Sequence, residues 1–106
     1  SGVDLSASLN SPVLAAADGT VAFVGTQGAL GTVIVLNHTQ GYQTRYGQLN
    51  RPSAKRGQQV KRGETIALVG QSGTPSHPES HLHFEVRSNS KLGWVAEDPL
   101  PLLGKK

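Results

Sequence analysis

The sequence predicts an all-β fold, a single compact antiparallel sheet or sandwich with short hairpins, and three observations carry that expectation. Thirteen glycines in 106 residues, with six prolines dispersed along the chain, punctuate it into short segments. Strand-like runs recur between the glycine-containing turns: Gly19 to Gly25, Gly31 to Asn37, Tyr42 to Tyr46, Thr65 to Gly70 and His81 to Arg87. Nowhere do apolar residues hold a helical period over the ~11 residues that a helix requires. A hydrophobic content of 36% sustains one core in a chain of this length, so residues 1–106 are read as one domain.

Taken in order, Asp18-Gly19 is a turn signal leading into the strand Thr20 to Val24, and Val33 to Leu36 is a short apolar run. The paired basic turns Lys55-Arg56-Gly57 and Lys61-Arg62-Gly63 bracket Gln58-Gln59-Val60. Both signals suit antiparallel hairpins. Asp98-Pro99-Leu100-Pro101-Leu102 lacks two backbone donors and is expected to wrap over the sheet instead of entering it.

Composition narrows the function. With no cysteine, thiol catalysis, cysteine-bound zinc and a disulfide framework are excluded. The formal charge of +3 favours an anionic partner, yet Lys55, Arg56, Lys61 and Arg62 read as a solvated face. Aromatic residues are 5%, too few for a stacking platform, so no nucleic-acid partner is expected. The longest apolar stretches, Val33 to Leu36 and Ile66 to Val69, fall far short of the ~20 residues that cross a bilayer, so no membrane span is expected within this domain.

Chemistry concentrates in His81-Leu82-His83-Phe84-Glu85-Val86-Arg87. Alternation puts Leu82, Phe84 and Val86 on a packing face and His81, His83, Glu85 and Arg87 on the other. Same-face neighbours sit about 6.5 Å apart, so one imidazole can hold a metal while the other faces a substrate or water. The bland alternative is a pair of solvent-facing histidines.

This strand closely resembles the signature strand of the LytM or lysostaphin-type zinc metallopeptidases, which cleave peptide cross-links in peptidoglycan. Gly2-Val3-Asp4-Leu5 resembles the end of that family's first motif, His-x-Gly-x-Asp. Pro12-Val13, Asp18-Gly19-Thr20-Val21, Asn37-His38, Thr44-Arg45-Tyr46-Gly47-Gln48-Leu49, Val60 to Gly63, Gly70 to Gly73 and Asp98-Pro99 fall in the family's order. The resemblance implies that Asp4 and His83 are zinc ligands and that His81 flanks the water and the scissile carbonyl. Gln48 stands where the family has a second such histidine.

A glutamine amide donates and accepts hydrogen bonds but takes up no proton near neutral pH. The first motif's histidine would fall immediately before Ser1, so the chain reads as a fragment of a longer envelope protein. Its own donors make an incomplete zinc shell, and no cofactor is expected unless a third ligand is supplied. His38 and His77 read as structural or surface residues, and Glu85 either orients His83 or pairs with Arg87.

These features together imply a degenerate LytM-type domain of the bacterial cell envelope, on its periplasmic or extracellular face. It would regulate, scaffold or bind during peptidoglycan remodelling, with peptidoglycan or a cell-wall hydrolase as partner. The competing expectation is an active zinc endopeptidase whose first ligand lies upstream of Ser1.

Overall fold

A computed structural model describes residues 2–6, 8–70, 81–90 and 93–97. The strands are β1 (Gly2–Ser6), β2 (Pro12–Leu14), β3 (Gly19–Thr26), β4 (Thr32–Asn37) and β5 (Tyr42–Gly47), followed by β6 (Leu49–Pro52), β7 (Gln59–Val60), β8 (Thr65–Val69), β9 (His81–Ser90) and β10 (Gly93–Glu97). The helical content among the described residues is two single 3-10 turns, Gly28–Leu30 and Thr39–Gly41.

One sheet runs β1-β9-β5-β4-β3-β7, with β10 pairing beyond β1 on the same edge of the long strand β9; the other runs β2-β8-β6. All pairings are antiparallel, and the expected all-β fold stands. The two sheets share one core. Val21, Ile34, Leu36, Tyr46, Phe84 and Val86 of the larger sheet meet Val13, Leu49, Ile66 and Val69 of the smaller. Phe84 and Val86 are buried as the alternation of β9 requires, while Leu82 is only partly buried at the margin of the core.

The expected hairpins at Asp18-Gly19 and at the basic turns are corners instead. β2 and β8 belong to the small sheet and β3 and β7 to the large one, so each of these turns carries the chain from one sheet to the other. True hairpins join β3 to β4, β4 to β5 and β9 to β10. The segment 98–102, expected to wrap over the sheet, and His77 lie outside the described residues.

A directed chain of hydrogen bonds ties these layers together. The Ala16 N–H donates to the Tyr46 hydroxyl oxygen at 2.9 Å, and Tyr46 and Thr44 hydroxyls are 2.8 Å apart. Thr44 Oγ1 meets His38 Nε2 at 2.6 Å, and His38 Nδ1 meets the Asp18 carbonyl at 2.7 Å. The carbonyl can only accept, so a neutral His38 carries its proton on Nδ1 and accepts at Nε2 from Thr44. Thr44 then accepts from Tyr46. Burial pushes the Tyr46 phenol up to about 12, against the opposing pull of its Thr44 and Ala16 bonds. His38 is thus a structural residue, as the sequence indicated.

Candidate functional site

β9 is the strand that positions the chemistry. His83 lies opposite Asp4 of β1 on one side and opposite Gly47 of β5 on the other. The register therefore brings three separate motifs, near residues 4, 47 and 83, to one place in the sheet. His81 stands two residues earlier on β9, opposite Ser6. The side chains of Asp4 and His81 lie outside the described residues.

Gly47 lets the chain pack closely at this place. A Cβ there would sit 3.3 Å from the Leu30 carbonyl oxygen and 3.4 Å from the His83 Cβ, tighter than ordinary packing. A larger residue would press on the His83 side chain, a constraint visible only once the strands are paired.

His83 Nε2 lies 2.8 Å from Glu85 Oε2. The carboxylate accepts, so the ring proton is on Nε2 and a metal would be bound through Nδ1. The other oxygen, Oε1, accepts from Arg87 Nε at 3.1 Å and from its terminal nitrogen at 3.0 Å. Glu85 is 6% exposed. The His83 hydrogen bond, followed by Arg87, outweighs burial and holds the carboxyl down to about 2. Both expected roles of Glu85 coexist, one oxygen serving each.

Gln48 occupies the corner where the chain leaves β5 in the large sheet for β6 in the small one. Its φ is +62°, in the left-handed region that disfavours a non-glycine residue. Three bonds hold it there: its N–H donates to the Leu30 carbonyl at 2.7 Å, its carbonyl accepts from Gly70 N–H at 2.9 Å, and its side-chain Nε2 donates to the Ala29 carbonyl at 2.9 Å. It is 3% exposed. The backbone strain, typically 1–3 kcal/mol, is sustained by these contacts.

Sequence reasoning missed Arg45. It lies between Val35 and Glu85 in register and bonds Gln27 of the loop that follows β3, which also supplies the Gln48 acceptor. Its Nε is buried with no hydrogen-bond partner among the described residues. An arginine in a strand of alternating residues gives no signal of this kind.

Among the described residues, no group of three His, Cys, Asp or Glu side chains could hold a metal ion. The register sets Asp4 opposite His83, the two positions that the resemblance assigns to zinc. A zinc held there would supply an activated water and a Lewis acid.

Residues 1–93 match peptidase family M23. An uncharacterized metalloprotease of Haemophilus influenzae is 46% identical over 85% of this chain and 19% of its own length. The peptidoglycan DD-endopeptidase ShyB of Vibrio cholerae is 41% identical over 95% of this chain and 23% of its own length. The catalytic domain of lysostaphin from Staphylococcus simulans superposes with a TM-score of 0.87 at 30% identity, covering 98% of this chain and 78% of that domain. The chain thus spans about a fifth of the length of the curated relatives it matches.

Proposed function

Because this chain belongs to peptidase family M23, we propose that it acts in peptidoglycan remodelling as a regulatory, scaffolding or binding module, one domain of a longer envelope protein, and not as a hydrolase. The observation that carries this reading is Gln48. It stands where the family resemblance calls for a proton-handling histidine, it is buried, and its amide is committed to Ala29. General acid or base catalysis at one position is worth typically 10² to 10⁴ in rate, and an amide cannot provide it.

What the chain retains suits recognition. His83 is held by Glu85, which Arg87 holds in turn, and Asp4 stands across from it in register. Such an array can position a peptide without cleaving it. The envelope is the expected location, since ShyB is named for its action on peptidoglycan. The partner is the polymer itself or a hydrolase acting on it.

The intact Glu85–His83 bond favours a second reading, an active zinc endopeptidase that tolerates Gln48. One experiment separates the two. Purified protein is assayed for bound zinc and for release of soluble fragments from peptidoglycan. The module reading expects binding to peptidoglycan with no fragment release. Release that is abolished by His83→Ala would establish an enzyme and overturn it.

A further inference from the structure

The segment Lys55-Arg56-Gly57-Gln58 is repeated six residues later as Lys61-Arg62-Gly63-Glu64, and the two copies fold alike. In the first, Gln58 N–H donates to the Lys55 carbonyl at 3.0 Å; in the second, Glu64 N–H donates to the Lys61 carbonyl at 2.9 Å. Gly57 and Gly63 take φ +88° and +83°, the left-handed geometry that the third position of a type II turn requires. The fourth side chain closes each turn: Gln58 Oε1 accepts from Lys55 N–H and Glu64 Oε1 from Lys61 N–H, both at 3.0 Å. Each turn is pinned to the sandwich by its glycine N–H, to Val21 in one case and to Ala15 in the other.

The result is two rigid, equivalent platforms, one at each end of the two-residue edge strand β7, each presenting an exposed lysine and an exposed arginine. Among the described residues none of these four cations is in an ion pair. The two nearby carboxylates are engaged by backbone: Glu64 by Lys61 N–H and Asp18 by Arg62 N–H at 2.7 Å. From Arg51 to Gly63 the chain carries no acidic residue. Guarding an edge strand requires charge, but it does not require the same turn twice.

β7 is four strands away from β9 in the sheet, about 19 Å at the usual strand spacing. A ligand on this edge leaves the face around His83 unobstructed.

We infer that the two turns form a second contact surface for peptidoglycan, binding carboxylates carried on successive repeats of that polymer. The inference rests on the reading that this module binds peptidoglycan. Equivalent cationic platforms in tandem match a polymer whose anionic groups also recur, and two weak contacts on one chain reinforce each other by effective concentration. Rim contacts of this kind are individually small and sensitive to salt.

The test is co-sedimentation of the chain with purified, insoluble peptidoglycan over a range of salt concentrations. Replacing all four cations by glutamine (K55Q/R56Q/K61Q/R62Q) should weaken binding on the order of tenfold at low salt and flatten its salt dependence. Neutralising either turn alone should cost a comparable share. A charge-preserving variant, K55R/R56K/K61R/R62K, should bind like the natural chain, and an unchanged melting temperature for each variant excludes misfolding. Peptidoglycan whose carboxylates have been converted to neutral amides should bind the natural chain as weakly as the glutamine variant. The inference is overturned if the glutamine variant binds within twofold of the natural chain, or if neutralised peptidoglycan binds undiminished. Loss of binding with His83→Ala alone would place recognition at the His83 face and remove this surface from it. No binding by the natural chain at any salt would overturn the parent reading as well.

Discussion

Glu85 divides its two carboxylate oxygens between His83 and Arg87, accepting from the imidazole at 2.8 Å with one and from the guanidinium at 3.0 and 3.1 Å with the other. The arrangement decides which ring nitrogen of His83 carries the proton, and it does so with a carboxylate that is almost fully buried.

Glu85→Ala should therefore cost about 2 to 4 kcal/mol, because it leaves two half-buried cationic or donor groups without their acceptor. Urea denaturation measures the loss, and nitrogen shifts of His83 should show that the proton is no longer confined to Nε2. A cost below about 0.5 kcal/mol would show that Glu85 carries no structural weight.

Phe84 points to the opposite side of the same strand, 5.3 Å centroid to centroid from Tyr46 and 1% exposed. Phe84→Ala should cost about 3 to 5 kcal/mol, from lost transfer energy and the cavity left behind. A loss under about 1 kcal/mol in equilibrium unfolding would contradict the packing described for this strand.

The contrast between these two residues shows what was legible in the sequence. Alternation alone assigned Phe84 and Val86 to the core and His83, Glu85 and Arg87 to the other face, because a strand with one packed face has a period of two. β1, β2, β6 and β10 were not read as strands: each is only three to five residues long, and β2 and β6 carry a proline at one end. The corners at Asp18-Gly19 and at the basic turns read as hairpins because turn chemistry is local, whereas the sheet that the next strand joins is set by long-range pairing. The substitution at Gln48 was visible, but its left-handed backbone was not. Glutamine has no preference for that region, and the Ala29 carbonyl that holds the side chain is 19 residues away.

Tyr46 gives the chain an alkaline limit. Its folded pKa of about 12 lies above the ordinary value of 10.0, so the native state keeps a proton that the unfolded chain releases. That contribution is complete below pH 10 and is lost as pH rises toward 12, amounting to about 3 kcal/mol. Tyr46→Phe should be less stable at neutral pH, since it strands Thr44 and the Ala16 N–H, yet its stability should fall less steeply between pH 10 and 12, by about one proton. Parallel slopes for the two proteins would refute the assignment.

Gln48→His is the substitution that most directly tests why the chain would bind without cleaving. A histidine ring N–H can donate to the Ala29 carbonyl as the amide now does at 2.9 Å, and the backbone bonds to Leu30 and Gly70 do not depend on the side chain. The fold should therefore tolerate the change within about 2 kcal/mol, the residual cost being fit in a site only 3% exposed. Zinc uptake should not change, because position 48 is not among the positions, Asp4 and His83, that the resemblance assigns to the metal. Gln48→His alone should leave fragment release near that of the unaltered protein, because proton transfer without a complete zinc shell has no activated water to work on. Release should rise by about 10² to 10⁴ only when a histidine is also placed immediately before Ser1. The gain should disappear with His83→Ala in the same background. A folded, doubly repaired protein that holds zinc yet releases nothing would show that the surface around His83 has itself diverged, and a partner-binding role for that surface would be favoured.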